Sequence, residues 1–455
     1  ILAAGHGSRM GRFSNLINKS LIPYDNKPIL SHIIDSFPKD TNFLIACGHL
    51  GNQIKDYVTL VHDDKKITCI DIPNFDSKTT GPGTSIRHCA PYLPDRFMWI
   101  TCDTLFKFKY DHLLDHTWIG ISPVNKELAQ DYCWVDHTKN TIVNVNNKCT
   151  SPNPVDAFIG LMYVSNKDEY INSLIKINSK EAVDGFPPNT KAYCVDEWHD
   201  FGVYRKWKSL NDQTEELSLP KPNELFYIDN GKVVKFSVDS IVAEKRKDRA
   251  QLNESFMPSN VKSLNNFFSH DFVIGDPFYN HLSKTRFAQL LLQLKKELWS
   301  KQSPISSTTR LSAAYDFYIT KTFRRLSDFR KSNHWTEKSI VNEVQVKSID
   351  DYLAAIDIAL LVNEISFSTI HGDLQFDNLI FNSTTGQFTF IDWRPDFSGL
   401  LYGDIYYDFS KMLGGLLLNY AKIRNKELQY HELDGKVTIN DLSVTNVVSY
   451  INLLK

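Results

Sequence analysis

The 455-residue sequence predicts an α/β domain built on a doubly wound, mainly parallel sheet, followed by a two-lobed α+β domain. Up to about residue 205, continuous apolar runs such as NFLIACG and FMWITCD alternate with amphipathic segments, which is typical of parallel strands joined by helices. Further along, NELFYIDNGKVVKFSV predicts a β-hairpin, and longer helical patterns such as KTRFAQLLLQLKKELW follow it.

The boundary between the domains is predicted at residues 209–223, SLNDQTEELSLPKPN. This segment is polar, contains prolines and has no apolar periodicity, as is usual for a linker. The prediction is therefore a first domain at residues 1–208, a linker at 209–223 and a second domain at 224–455.

Composition excludes several classes of partner. The 51 basic and 53 acidic residues give a formal net charge of -2, which would not gather nucleic acid or an anionic membrane surface. The seven cysteines lie in the first 194 residues without a CxxC pair, as expected of reduced thiols in a cytoplasmic protein. No apolar run is long enough for a membrane span, and both ends of the natural chain are expected to be missing here. Small-molecule substrates remain, and the composition does not indicate an oligomeric state.

The opening segment LAAGHGSRM predicts a phosphate site. A glycine-rich loop directly after a strand allows backbone N–H groups to approach phosphate oxygens, although such a turn alone is more often structural. With Arg9 and with Lys19 in NKSLIP, the segment resembles the sugar-nucleotidyltransferase family, whose pattern is LAAGxGxRM followed by a lysine. Asn18 and Ser20 depart from that pattern, because the family usually has proline before the lysine.

This resemblance extends over nearly all of residues 1–205 and implies a nucleotidyltransferase-type fold. It implies that Arg9 and Lys19 are catalytic, because their charge offsets that of the triphosphate and the departing pyrophosphate. It also implies a nucleotide-binding set in the first loop and in GPGTS, namely Ala3, Ala4, Gly5, Gly7, Ser8, Gly81, Thr84 and Ser85.

Two further parts of the resemblance concern metal and acceptor. Asp103 in TCDTLF and Asp200 in EWHDFG match the carboxylates that bind Mg²⁺ or Mn²⁺, although an aspartate at the position of Asp103 could instead cap a helix. Lys148 in NVNNKC matches the lysine that holds the acceptor phosphate. This match is loose, because Asn147 replaces an acidic residue and the following proline is absent, so a hexose 1-phosphate is a less expected acceptor. A solvated lysine is the alternative.

The second domain contains IHGDLQFDNLIF at 370–381 and FTFIDWRPDF at 388–397. Kinase-type phosphoryl transfer needs a carboxylate that orients the attacking hydroxyl, and Asp373 fits that role, with Asn378 and Asp392 as ligands of the metal on ATP. This spacing resembles the aminoglycoside phosphotransferase and choline kinase superfamily. The resemblance implies that Lys235 contacts the nucleotide phosphates, with Lys232 as the competing choice.

Other residues near these motifs are expected to be structural or to select the acceptor. His371 is expected to brace the catalytic loop, and Asp404 and Asp408 match the region in which the family's acidic residue holds that loop, so both are expected to be structural. Arg394 stands where choline-type kinases usually carry an acid, which predicts a neutral polyol or an anionic hydroxy compound as acceptor. Alternatively, Arg394 points away and pairs with Asp396 or Asp404.

Together the two resemblances imply a bifunctional enzyme. ATP would phosphorylate a small alcohol or polyol, and the product would be coupled to a nucleotide, with CTP favoured, as in the choline kinase and phosphocholine cytidylyltransferase pair that supplies bacterial surface glycans such as capsule or lipopolysaccharide. One alternative is a sugar kinase joined to a sugar-1-phosphate nucleotidyltransferase. Another is a regulatory or scaffold protein with degenerate enzyme domains, against which the intact acidic residues argue.

Overall fold

A computed structural model describes residues 1–77, 79–214, 221, 223–301, 303–333 and 337–455. Residues 215–220 and 222 of the predicted linker lie outside the described residues. The chain forms two compact units, one made of Ile1–Asp239 with Leu264–Ser269 and the other of Ser240–Ser263 with His270–Lys455.

The first unit contains the predicted parallel sheet. Its strands are Leu2–Ala3, Phe43–Cys47 and Ile67–Asp71, all parallel, with the middle strand between the other two. Four of the five residues of Phe43–Cys47 are buried, which explains why this strand reads as a continuous apolar run. Leu2 also pairs in parallel with Thr101, so the loop after Leu2–Ala3 lies near the one that holds Asp103. The α-helices of the unit are Ile29–Asp35, Gly51–Val61, Pro82–Cys89, Lys167–Ile177 and Tyr204–Asn211.

A second sheet of this unit is mostly antiparallel. In spatial order its strands are Phe97–Ile100, Val155–Val164, Trp118–Val124, Lys191–Cys194, Thr141–Asn147 and Cys133–Thr138. The pair formed by Trp118–Val124 and Lys191–Cys194 is parallel. The unit also contains two short strand pairs, Pro23–Tyr24 with Lys27–Pro28 and Thr104–Lys107 with Glu197–Asp200. The last pair sets Asp200 opposite Thr104, next to Asp103.

The predicted hairpin is formed by Glu224–Asp229 and Lys232–Ser237, and it belongs to the first unit. Tyr57 donates a hydrogen bond of 2.7 Å to Oδ2 of Asp229, and Lys27 Nζ lies 3.1 Å from Oδ1 of the same carboxylate. Tyr227 is fully buried and donates to the carbonyl of Leu21 at 2.8 Å. Because these contacts attach the hairpin to the first core, the units divide after Asp239, whereas the predicted second domain begins at 224.

The second unit is mainly helical. Its α-helices are Ser240–Leu252, Lys284–Gln293, Ser307–Tyr315, Lys321–Ser332, Ile349–Ala354, Ile358–Asn363, Ile405–Leu417, Tyr420–Arg424 and Val447–Leu454. Among the described residues of this unit, one sheet contains Asp276–Pro277, Leu379–Asn382 and Gln387–Phe390, and a second pairs Phe367–Ser368 with Gly403–Asp404. A third, four-stranded sheet contains Ile340–Val341, Val344–Gln345, Tyr430–Leu433 and Lys436–Ile439. Phenylalanine dominates the core beneath the Leu379–Asn382 hairpin. Among the described residues, no helix combines the length and apolarity needed to cross a bilayer.

Candidate active sites

A cavity of ≈ 560 Å³ lies beside the loop that follows strand Leu2–Ala3. Most of the residues predicted for nucleotide transfer line it, namely Ala4, Gly5, Gly7, Ser8, Arg9, Lys19, Gly81, Ser85, Asp103, Lys148 and Asp200. Ala3 is buried and is not part of the lining, and its carbonyl accepts a hydrogen bond from Asn18 at 3.1 Å. Thr84 is also outside the lining, and its hydroxyl accepts from Arg87 at 3.4 Å.

Asn18 explains why the segment around Lys19 departs from the proline of the family pattern. Its side-chain amide donates to the carbonyls of Ala3 and His49, at 3.1 and 2.7 Å. Its side-chain oxygen accepts from the backbone N–H of Ser20 at 2.9 Å, which caps the short helix Lys19–Leu21. These bonds tie the loop that carries Lys19 to the end of the first strand, a task proline could not perform because it has no side-chain donor.

Two carboxylates and one guanidinium meet beside Gly202. A Cβ atom added there would lie 2.7 Å from Oδ1 of Asp200, 3.2 Å from Oδ2 of Asp103 and 3.5 Å from Nη2 of Arg9. Lys19 forms an ion pair with Asp103. Burial raises the pKa of Asp103, but the charges of Lys19 and Arg9 outweigh that effect and hold it below its ordinary value. Asp103 is therefore ionised at neutral pH, as a metal ligand must be.

Asp200 is held by two residues that the sequence did not single out. Tyr132 donates to Oδ2 of Asp200 at 2.6 Å, and Lys206 lies 2.8 Å from the same oxygen. Lys206 also donates to the Tyr132 hydroxyl, and its ammonium is 4.4 Å from the centre of the Tyr132 ring. Trp198 packs edge-on against that ring at 5.2 Å. The sequence offered no signal for either residue beyond the position of Lys206, six residues after Asp200.

The two carboxylates suit Mg²⁺ or Mn²⁺. Within the described residues, no group of three or more His, Cys, Asp or Glu side chains could hold a metal ion. Mg²⁺ commonly takes one or two carboxylates and completes its coordination with water and phosphate oxygens, so the pair Asp103 and Asp200 fits that chemistry. Asp103 follows a strand and does not precede a helix, so the alternative role as a helix cap does not apply.

The predicted acceptor lysine lies at the edge of the same cavity. Lys148 has φ 50°, and its backbone N–H donates to the carbonyl of Tyr132 at 3.1 Å. The neighbouring Asn147 accepts from the Cys133 thiol at 3.0 Å. Lys148 therefore lies on the same side of the cavity as Tyr132, Trp198 and Asp200.

In the second unit, Asp373, Asn378 and Asp392 are arranged around the hairpin of Leu379–Asn382 and Gln387–Phe390. Asn378 immediately precedes the first strand and donates to the backbone carbonyl of Asp373 at 2.9 Å. The backbone N–H of Ile391 donates to the Asn378 carbonyl at 2.9 Å, which brings the start of the hairpin next to Asp392 at its end. Asp392 has φ 56°, an uncommon conformation for a residue other than glycine.

The loop that carries Asp373 is held by buried polar groups. Asp408 is fully buried and accepts from the backbone N–H groups of His371 and Gly372, at 2.9 and 2.7 Å, and from Trp299 at 3.1 Å. His371 is also fully buried, which lowers its pKa to about 4, and its Nε2 lies 3.0 Å from the carbonyl of Ile391. Both residues thus have the structural position predicted for them. Asp404 accepts from Tyr318 at 2.7 Å.

Arg394 lies beside this loop and does not form the ion pairs considered as alternatives. Its Nε donates to the backbone carbonyl of Asp396 at 3.1 Å, while the Asp396 carboxylate pairs with Lys245 at 2.6 Å. Lys411, which the sequence did not single out, lies 2.9 Å from Oδ1 of Asp373. Lys235 is in the hairpin of the first unit, on strand Lys232–Ser237, and Lys232 donates there to the carbonyl of Leu60 at 2.7 Å.

Comparison with known proteins gives separate matches for the two parts of the chain. Residues 1–116 match the model of the MobA-like NTP transferase domain, and residues 313–431 match that of the phosphotransferase enzyme family. The chain is a fusion of these two kinds of transferase domain. It contains a nucleotidyltransferase-like region with a parallel sheet and a kinase-like region.

The individual relatives and structures named here each match less than half of this chain. The bifunctional protein GlmU of Methanococcus maripaludis strain C5 is 27% identical over 117 residues, which is 26% of this chain and 27% of that protein. The chain thus matches about a quarter of that relative's length. Among solved structures, the match to UDP-glucose pyrophosphorylase from Acinetobacter baumannii covers 46% of this chain and 90% of the pyrophosphorylase chain, with 15% sequence identity and a TM-score of 0.38. The match to CTP:phosphocholine cytidylyltransferase from Streptococcus pneumoniae covers 46% of this chain and 96% of the cytidylyltransferase chain, with 11% sequence identity and a TM-score of 0.37.

Proposed function

We propose that the second unit phosphorylates a small alcohol or polyol with ATP and that the first unit couples the product to a nucleotide, with CTP favoured, releasing pyrophosphate. The observation that carries the proposal is the meeting of Asp103, Asp200 and Arg9 around one point of the first cavity, together with the Asp373, Asn378 and Asp392 arrangement in a kinase-like region. We place both reactions in the cytoplasm, in the supply of activated precursors for surface glycans such as capsule or lipopolysaccharide.

In the first reaction, Asp373 would accept or orient the proton of the attacking hydroxyl. The hydroxyl oxygen forms a bond to the γ-phosphorus of ATP, and the bond between that phosphorus and the β–γ bridging oxygen breaks. Asn378 and Asp392 would hold the metal, which supplies positive charge to the triphosphate when bound. Asp408 and His371 fix the backbone of the loop, so Asp373 is oriented before the substrates bind.

In the second reaction, an oxygen of the acceptor phosphate attacks the α-phosphorus of the nucleotide, and pyrophosphate leaves. Arg9 and Lys19 would stabilise the charge on the departing pyrophosphate. Asp103 and Asp200 would hold the metal. Lys19 and Asp103 form an ion pair, so metal binding at the carboxylate would free the Lys19 ammonium for the triphosphate.

Lys206 is part of this proposal as a positioning residue. It contacts Asp200 and the Tyr132 hydroxyl, and its ammonium lies 4.4 Å from the centre of the Tyr132 ring. Removing it would leave the Asp200 carboxylate with the Tyr132 hydroxyl and the Gly202 N–H as its remaining partners. We therefore expect Lys206 to set the position of Asp200 before the metal binds.

A substrate screen tests the proposal. The purified chain is incubated with Mg²⁺, each of the four NTPs and a panel of phosphorylated polyols, phosphocholine and hexose 1-phosphates, and pyrophosphate release is measured. ATP-dependent phosphorylation of the corresponding alcohols is measured separately. Turnover of a polyol phosphate with CTP is the expected result. Turnover of a hexose 1-phosphate with UTP or GTP would instead establish the sugar-kinase alternative, and absence of both activities would support a degenerate protein.

A further inference from the structure

Three cationic side chains lie close to two aromatic rings in the second unit. Phe317 and Tyr407 pack edge-to-face, with their ring centres 4.8 Å apart. Lys321 Nζ lies 4.3 Å from the centre of Phe317, and the guanidinium carbon of Arg394 lies 4.8 Å from the same ring and 5.9 Å from Tyr407. Lys411 Nζ is 5.6 Å from Tyr407. Three cations of the chain itself therefore already lie near these rings, and Phe397 stacks on Phe317 with the ring centres 4.0 Å apart, so a cationic ligand would be repelled here.

This cluster borders the residue proposed to orient the attacking hydroxyl. Lys411 Nζ is 2.9 Å from Oδ1 of Asp373. The backbone N–H of Arg394 donates to the His371 carbonyl at 3.1 Å, and a Cβ added to Gly372 would lie only 2.7 Å from Cβ of Arg394. Arg394 is thus packed directly against the loop that precedes Asp373. A molecule bound to Arg394 would therefore lie close to the loop that carries Asp373.

The positive charge of the cluster is only partly balanced. Lys411 is paired with Asp373, and Asp396 is paired with Lys245. Over the part of the chain that the structure describes, neither Lys321 nor Arg394 has a carboxylate within ion-pair distance. The pKa of Lys321 falls to about 8, chiefly because the ammonium is buried and next because Arg394 and Arg325 repel it, while Asp396 opposes the shift. A bound anion would relieve that repulsion.

We propose that Lys321 and Arg394 form an anion-binding subsite of the kinase, so that the alcohol it phosphorylates carries a carboxylate or a phosphate. The inference rests on the proposed kinase function of the second unit, and it narrows the acceptor to the anionic class. Lys411 positions Asp373 at the inner edge of the subsite. Choline and ethanolamine should be poor acceptors, because three cations near the two rings would repel their ammonium groups.

The nucleotide is the competing ligand for these cations. If Lys321 and Arg394 bound the γ-phosphate of ATP, their removal would raise the KM for ATP equally with every acceptor. If they bind the acceptor, removal raises the KM for anionic acceptors and leaves the KM for ATP little changed. The two roles are therefore separated by which kinetic constant changes.

The test uses the full chain and four probes, D-glycerate, glycerol 3-phosphate, glycerol and choline. The variants are Lys321→Met, which keeps the chain length over Phe317, and Arg394→Gln, with Arg394→Lys as the charge-retaining partner. Lys331→Met is the matched control, because Lys331 is an exposed cation on the same helix, Lys321–Ser332. Binding of each probe is measured by calorimetry, and ATP-dependent phosphorylation is measured in parallel.

We expect glycerate or glycerol 3-phosphate to be preferred, with the choice between them identifying the carboxylate or the phosphate class. Lys321→Met and Arg394→Gln should weaken binding of the preferred anion about tenfold to a hundredfold, as is usual when a hydrogen bond to a charged group is lost, and Arg394→Lys should restore part of it. Lys331→Met should have no effect. Preference for glycerol or choline, or a change confined to ATP, would overturn the inference. Anion binding that is sensitive to Lys321 but is never followed by phosphorylation would support the subsite and refute the kinase function.

Discussion

Replacing Gly160 with alanine should distort the part of the nucleotide cavity that Gly160 and Thr101 line. Gly160 has φ +83° and lies in strand Val155–Val164, where the pairing with the neighbouring strand shifts register. Its carbonyl accepts from the backbone N–H of Thr101 at 2.9 Å. A Cβ there would lie 2.4 Å from Oγ1 and 3.0 Å from Cγ2 of Thr101, so Thr101 would have to move, and Asp103 is two residues further along.

The loss of unfolding free energy in Gly160→Ala has two parts. A left-handed conformation costs an alanine roughly 1–2 kcal/mol. Overpacking against a residue that cannot move away adds about 1–3 kcal/mol. The free energy of unfolding of the Gly160→Ala protein should therefore fall by about 2–5 kcal/mol, and pyrophosphate release should fall at least about tenfold because Asp103 is displaced.

Gly231→Ala separates the backbone strain from the overpacking, because only the strain applies at that position. Gly231 has φ +69° in the hairpin turn of the same unit, and a Cβ there would meet no atom within 4 Å. This variant should lose only the roughly 1–2 kcal/mol of backbone strain and keep full pyrophosphate release. Urea unfolding and the pyrophosphate assay are run on both proteins. If Gly160→Ala unfolds no more easily than Gly231→Ala and remains active, the steric argument at Thr101 is wrong.

Three further predictions concern the sites directly. Lys206→Ala should lower kcat/KM for pyrophosphate release about tenfold or more, while Lys208→Ala, an exposed lysine on the same helix, should not; equal effects would remove Lys206 from the proposal. Excess EDTA should abolish both activities, and Mg²⁺ should restore them. Gly202→Ala should raise the Mg²⁺ concentration needed for pyrophosphate release but not that needed for phosphorylation, because the added methyl group would lie 2.7 Å from Oδ1 of Asp200. Burial lowers the pKa of His371 from 6.5 to about 4, so the unfolded chain binds the proton more readily and the contribution of His371 to stability should be complete above about pH 6.5 and decline towards pH 4. Asp408, whose pKa burial raises to about 6, has the opposite dependence, so the test is the difference in unfolding free energy between the unchanged protein and His371→Gln, which should shrink from pH 6.5 to pH 4 in urea unfolding.

Patterns within short segments predicted much of the architecture. Buried parallel strands read as continuous apolar runs, and the turn at Asp229, Asn230 and Gly231 indicated the hairpin that the structure contains. The antiparallel sheet that includes Val155–Val164 was not predicted, because its partner strands are distant in sequence and alternation alone does not give pairing direction. The hairpin's attachment to the first unit was missed for the same reason, since it depends on single contacts such as that of Tyr57 with Asp229.

For the sites, motif residues could be predicted and their supporting residues could not. Arg9, Lys19, Asp103 and Asp200 belong to a known pattern, and the structure brings them to one cavity, but their catalytic roles stay predictions. Tyr132 and Lys206 come from elements outside any motif. Two pairs did leave a signal, because Phe317 with Lys321 and Tyr407 with Lys411 have the i, i+4 spacing at which a cation can lie over a ring on one helix face.

The central claim is that one chain has two independent transferase sites, and paired substitutions test it most directly. Asp103→Asn and Asp373→Asn keep the size of each side chain and remove its charge. Both activities are measured on each purified, folded variant with the substrates found in the screen. We expect Asp103→Asn to abolish pyrophosphate release and to leave ATP-dependent phosphorylation within about twofold, and we expect Asp373→Asn to do the reverse. Loss of both activities in either folded variant would contradict it.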